Sequence, residues 1–184
     1  VSPELSPAAR RRLLEVARRA LGARVAGERF VPEDGEAELR RPAGAFVTVR
    51  RREDRELRAC VGRIEPYRPL IEAVAMAAAA AAAEDRRFDP VAVDELPLLC
   101  LEVSALGPLF EVLPGSVEVG VHGVLVSCDG RSGLLLPQVA VEHRWERETF
   151  LEHACRKAGL PTDAWRGPGC RIHAFTATLI REED

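Results

Sequence analysis

Hydrophobic positions along this chain change their period several times, and each change marks an element. Ser6–Pro7 reads as a helix cap followed by proline at the first helical position. Leu13, Leu14, Ala17, Ala20 and Leu21 then recur at helical spacing among arginines, which predicts an amphipathic helix. Glu33 to Gly44 is polar and reads as a loop. Ala45 to Arg50 alternates with a period of two, Arg51 to Glu56 is a charged turn, and Leu57 to Gly62 alternates again. Strand, turn, strand with no room for a helix predicts an antiparallel pair. Pro66 and Pro69 introduce a long helix over Leu70 to Glu84, rich in alanine, whose small side chains let a helix lie close to its sheet. Asp85 to Pro90 ends it in a dense charged turn.

Leu98 to Ala105 reads as a mostly apolar strand in which Glu102 needs a partner or an exposed face. Val117, Val119 and Val121 alternate with Glu118, Gly120 and His122, and Val124 to Ser127 continues that strand after Gly123. Cys128 to Gly133 reads as a turn, and Leu134 to Leu136 as a short strand stopped by Pro137. Phe150, Leu151, Ala154, Cys155 and Ala158 form the stripe of a further helix, ended by Gly159 after Lys157. Ile172 to Ile180 is expected as one closing strand, with His173, Phe175, Ala177 and Leu179 on one face. Strands joined by short turns with few helices between them predict a mixed, largely antiparallel α+β fold with flanking helices. The order is not a Rossmann alternation, and no glycine-rich phosphate loop joins a strand to a helix.

The segment Leu57 to Gly62 carries the candidate chemistry. Leu57, Ala59 and Val61 are expected on the core face; Arg58, Cys60 and Gly62 fall on the other. Same-face neighbours lie about 6.6 Å apart. At that distance Arg58 favours the thiolate of Cys60, the reactive form. Gly62 leaves room for a ligand or for another backbone. Cys60 reads equally as a buried packing thiol. No neighbouring residue supplies a base, so any base comes from the fold. His122, between Gly120 and Gly123, is the best available one, although a histidine steering a turn reads the same way. His143 and His153 read as surface residues and His173 as a core or edge residue. Glu65, Asp85 and Asp89 are candidate acids or bases; for Asp85 to Asp89 a turn held by local Arg–Asp pairs is the competing account.

Composition narrows the classes. The chain has 184 residues, 47% of them hydrophobic, and a net charge of −3, which gives no global attraction to nucleic acid or anionic membrane. Arg10-Arg11-Arg12 lacks the aromatic interleaving of single-strand binders. Lys157 is the only lysine. The five cysteines are odd in number, widely spaced and without a CxxC pair, which argues against a disulfide framework and a structural zinc site. HExxH and HxH are absent, which weakens a metal reading. The N-terminus has no apolar signal region, and the alanine-rich run is far below the roughly 20 residues that span a bilayer. A cytoplasmic location without membrane association is the expectation.

Several segments together resemble one family: Gly44 to Thr48, Leu57 to Gly62, Arg87-Phe88-Asp89-Pro90, Glu102-Val103-Ser104, His122-Gly123, Leu134 to Ala140, Trp145 through Phe150-Leu151, and Lys157 to Pro161 followed by Ala164-Trp165. The set resembles the AMMECR family, called in prokaryotes protein A of the AmmeMemoRadiSam system. The family hallmark resembles LRGCIG; this chain departs at Ala59 and Val61 and matches at Arg58, Cys60 and Gly62. A DPRF-like segment appears as Asp85-Arg86-Arg87-Phe88, with the proline replaced and Arg87 and Phe88 kept. The resemblance implies an α+β fold with a barrel-like sheet and two unequal lobes, the hallmark lying in a cleft between them. It also implies partnership with a Memo-like protein and a radical S-adenosylmethionine protein. It assigns no reaction and no cofactor. Two functions follow as expectations. One is an enzyme-like component acting on a small metabolite, with Cys60 and His122 catalytic and Arg58, Gly62 and Arg87 binding. The other is a non-catalytic interaction or regulatory module.

Overall fold

The capped helix forms where the sequence places it. In the computed structural model, which describes residues 4–33 and 35–182, α1 spans Pro7–Val25 and the Ser6 hydroxyl accepts the Ala9 N–H at 3.2 Å. That bond satisfies one of the amides left without a partner in the first helical turn. Ala9, Leu13, Val16, Ala17, Ala20 and Leu21 are buried along one stripe. Within the predicted loop from Glu33 to Gly44, Asp34 lies outside the described residues; Ala37–Arg40 forms a 3-10 turn that buries Leu39.

The chain divides into two compact units. The first runs to Leu106 and takes back the closing stretch from Thr178. Its sheet holds β1 (Ala45–Arg51), β2 (Leu57–Arg63), β3 (Leu99–Leu106) and β8 (Ala177–Arg181) in the order β2-β1-β3-β8. β1 runs antiparallel to both neighbours. α1 and α2 (Leu70–Ala83) pack on one another, and α2 also packs on β1 and β2. The alanines of α2 allow this: Ala75, Ala77, Ala78, Ala81 and Ala82 are buried beside Val74. The core joins these helices to Ala45, Val47, Val49, Leu101, Val103 and Ala105. Glu182 fastens the end of the chain: Arg18 Nε donates to it at 3.0 Å, and its other oxygen accepts the Leu101 N–H at 2.9 Å.

The second unit spans Gly107–Ala177. Its sheet has the order β4-β7-β5-β6 and is antiparallel throughout, with β4 at Phe110–Glu111, β5 at Gly123–Cys128, β6 at Arg131–Leu135 and β7 at Cys170–Phe175. α3 (Pro137–Glu142) and α4 (Arg147–Lys157) complete it, and Phe150, Leu151, Ala154 and Cys155 of α4 enter the core with Val124, Val126, Ile172 and Trp165. The mixed, largely antiparallel α+β architecture is therefore present. Its strands are shared between two open sheets, neither closed into a barrel.

Three local expectations are corrected, and a fourth, the stop at Pro137, gains its physical reason. The alternation over Val117 to His122 is not a strand. Gly120 takes φ +85°, and the amides of Val121 and His122 both donate to the Glu118 carbonyl, so the chain turns before β5 begins at Gly123. The closing strand breaks at Thr176, and its halves belong to different sheets. Pro137 stops β6 because it opens α3, where its missing N–H costs nothing. Finally, Cys128 and Cys170 are disulfide-bonded: they sit opposite each other on β5 and β7 with Cα atoms 4.4 Å apart. Their separation of 42 residues carries no signal along the chain; the strand register does.

Candidate functional site

The register of β2 decides where its side chains go. Val61 pairs with Val47, Cys60 with Thr48 and Ala59 with Val49, but Leu57 pairs with Arg50, so Arg58 is an extra residue in a bulge. A bulge breaks the two-residue alternation and re-aims the side chain it carries. Ala59 is buried and Val61 packs against the core as expected. Leu57 leaves that face: it lies opposite Arg50 and is half-buried.

Arg58 is consequently 7% exposed with its guanidinium turned to Glu95, Nε donating at 2.8 Å and Nη2 at 3.0 Å; Nη2 also reaches the Pro90 carbonyl at 3.4 Å. The bond to Glu95 is the main cause holding Arg58 above and Glu95 below their usual pKa ranges. Cys60 is half-buried, on the face of β2 away from Ala59 and Val61, and its Sγ accepts the Thr48 hydroxyl at 3.3 Å. At Gly62 the close approach is made by the protein itself. A Cβ there would collide with the Ala45 carbonyl and with Phe46 on β1, so this glycine serves the strand pair.

The turn after α2 completes the arrangement. β2 lies at the edge of its sheet, where backbone donors face outward unpaired. Asp85 closes one of them: its Oδ2 accepts the Cys60 N–H at 2.9 Å. The same carboxylate accepts Nε of Arg87 at 2.9 Å, Nη2 at 2.7 Å and the Arg87 backbone N–H at 3.2 Å. The Arg87 guanidinium, first, and then these amides hold Asp85 down at about 2 against the opposing effect of burial. Arg87 is raised in turn, chiefly by its hydrogen bonds to Asp85. Arg87 is thus tied to the Cys60 strand through the Asp85 carboxylate. The local Arg–Asp turn and the candidate site are one structure.

A groove of about 500 Å³ opens here, lined by Arg51, Arg58, Arg86, Arg87, Phe88, Asp89, Pro90 and Glu95. Its four arginines outnumber its two carboxylates, on a chain that is negative overall. Phe88, half-buried, has the guanidinium carbons of Arg58 and Arg87 at 5.9 and 5.4 Å from its ring centroid. Glu95 was invisible in the sequence because it lies 37 residues from Arg58.

His122 belongs to the Gly107–Ala177 unit and Cys60 to the other. Its Nδ1 accepts the Glu118 N–H at 3.1 Å, and its ring meets Phe110 edge-on at 5.6 Å. This bond fixes the neutral tautomer with its proton on Nε2, a donor. His143 and His153 both stack on Trp145, at 4.7 and 3.8 Å between ring centroids. His143 is exposed, whereas His153 is half-buried, and burial with nearby Arg156 lowers its pKa. His173 is half-buried, with Nδ1 enclosed and without a hydrogen-bond partner among the described residues. Glu65 is exposed. Among the described residues no three His, Cys, Asp or Glu side chains converge to hold a metal ion, and no helix is long and apolar enough to cross a membrane.

Glu102 finds its partners inside the sheet. It is 2% exposed and paired with Arg50 at 3.3 Å, Arg55 at 3.1 Å and Arg181 at 3.4 Å. Arg55, held at φ 62° in the β1–β2 turn, also donates to the buried Cys100 Sγ at 3.0 Å. Cys155 is buried in the other unit, which pushes its thiol pKa up.

A two-sheet α+β protein whose arginine-lined groove is linked through Asp85 to an edge-strand cysteine, itself outside the groove lining, is the class these features define. The AMMECR1 family model matches residues 14–180, and the chain belongs to that family. It is similar to protein MK0488 of Methanopyrus kandleri, 44% identical over 77% of this chain and 72% of that protein. A Thermofilum pendens protein is 42% identical, covering 92% of this chain and 88% of its own length. The crystal structure of uncharacterized protein PH0010 from Pyrococcus horikoshii superposes with a TM-score of 0.89 at 39% identity, covering 93% of this chain and 90% of that one.

Proposed function

We propose that this AMMECR1-family protein holds a small anionic metabolite in the groove around Phe88, with Cys60 as the neighbouring reactive group. The observation that carries the reading is the carboxylate of Asp85. It fastens Arg87, a groove residue, to the backbone of Cys60, so ligand site and thiol strand are held as one rigid element. Iodoacetamide labelling of the folded protein, mapped by mass spectrometry, tests it. Cys60 labels before the buried Cys100 and Cys155; a Cys60 that stays unlabelled until the protein unfolds removes it from the chemistry.

A second reading has its own observation. Val93 and Leu98, on the 3-10 turn that carries Glu95, are 67% and 63% exposed. They offer an apolar contact beside the groove for the Memo-like or radical S-adenosylmethionine partner that the family resemblance implies. Co-purification that survives Cys60→Ala but is lost on Val93→Asp supports this reading; no binding of either protein at micromolar concentration ends it.

A further inference from the structure

We propose that the groove takes a phosphate monoester carried on a planar, apolar body. The inference rests on the small-anion reading above and names its ligand class. Arg58 and Arg87 are mounted alike: each gives Nε and Nη2 to one carboxylate, Glu95 and Asp85 respectively. Such side-on pairing fixes the guanidinium plane. It leaves Nη1 of each arginine without a hydrogen-bond partner among the described residues, beside the same Phe88 ring. Arg86 is exposed and makes no ion pair among the described residues, and Arg51 makes only a 3.8 Å contact with exposed Glu56.

The geometry of the remaining donors selects the anion. A carboxylate ligand is recognised best by the planar Nε/Nη fork of one arginine, and at Arg58 and Arg87 those forks are already occupied. What remains at Arg58 and Arg87 is a single Nη1 donor on each of two stems, to which Arg86 and Arg51 add their own guanidinium groups. A phosphate monoester has three strong acceptor oxygens in a tetrahedral array and about −1.5 to −2 charges at neutral pH, and it accepts such donors together. Phe88 and Pro90 give the groove an apolar wall on which a ring of the ligand stacks. The volume, about 500 Å³, suits a small molecule rather than a polymer.

Isothermal titration of the full chain with phenyl phosphate, benzoate and inorganic phosphate tests the assignment. Phenyl phosphate is expected to bind saturably and about tenfold more tightly than benzoate, since it offers a further acceptor oxygen and more charge to the arginine donors. Arg86→Gln and Arg87→Gln each weaken it about tenfold or more. Phe88→Leu removes its advantage over inorganic phosphate. If benzoate binds as tightly as phenyl phosphate and still depends on Arg87, the small-anion reading stands and the phosphate class is overturned. If phenyl phosphate binds equally well to both arginine variants, it sits elsewhere and the proposal fails. If no probe binds up to about 10 mM while circular dichroism shows folded protein, both readings fall.

Discussion

Asp85 and Cys60 are joined at the backbone: Asp85 Oδ2 accepts the Cys60 N–H at 2.9 Å, on the outer edge of the sheet that β2 forms. Because the same carboxylate orients Arg87, one side chain finishes an edge strand and positions a groove cation.

That dual role gives a pH signature. Asp85 is held at about 2 in the folded protein against an ordinary 3.8. A lowered folded-state pKa contributes stability that is complete above the unfolded value and is lost as pH falls through the folded one. Allowing for the exposure of Arg87, the contribution is about 1–2 kcal/mol. Urea titrations should show Asp85→Asn less stable than the parent by about this amount at pH 6, with the gap closing between about pH 4 and pH 2. A constant gap across that window contradicts the assignment.

Glu102 and its three arginines form an asymmetric cluster. The carboxylate side chain is 3% exposed, whereas Arg181 is 52% exposed. Removing Arg181 leaves Arg50 and Arg55 in place, so Arg181→Ala should cost about 1 kcal/mol or less. Glu102→Ala removes the buried carboxylate that all three arginines share and should cost more, about 2–3 kcal/mol. Thermal melts of the two variants check the ordering.

Gly62 has no room for a methyl group because β1 backbone and Phe46 fill the space, whereas a methyl group at Gly115 would meet nothing within 4 Å. Gly62→Ala should cost about 2–3 kcal/mol or prevent folding, and Gly115→Ala should be nearly silent. Equal stability of the two variants contradicts the β1–β2 packing.

The disulfide between Cys128 and Cys170 closes a loop of 42 residues. In the chain-entropy account a loop of that size contributes about 4 kcal/mol at most. Thiol titration in denaturant should find three free thiols without reductant, matching Cys60, Cys100 and Cys155, and dithiothreitol should lower the melting temperature.

Periodic features were legible in the sequence because they depend on neighbours along the chain. The Ser6 cap, the α1 stripe, the alanine helix α2 and the stripe of α4 all read directly. What was not legible depends on pairing in space. A run of alternating valines could not reveal that Gly120 turns the chain, nor could Ile172 to Ile180 reveal the break at Thr176. The bulge at Arg58 is a property of the register with β1; it moved Leu57 out of the core and sent Arg58 to Glu95. Of the site, Cys60 and Arg87 were named from sequence, but their connection through Asp85 needed the fold.

The most direct test of the account compares the rate of Cys60 alkylation in the parent and in Arg87→Gln at neutral pH, with folding verified for both. Alkylation is expected to be several-fold slower in the variant, which loses the cation that the Asp85 clamp ties to the Cys60 strand, and phenyl phosphate in the groove is expected to alter the parent's rate but not the variant's. Equal rates in the two proteins, unaffected by phenyl phosphate, would show that the groove and Cys60 are not one site.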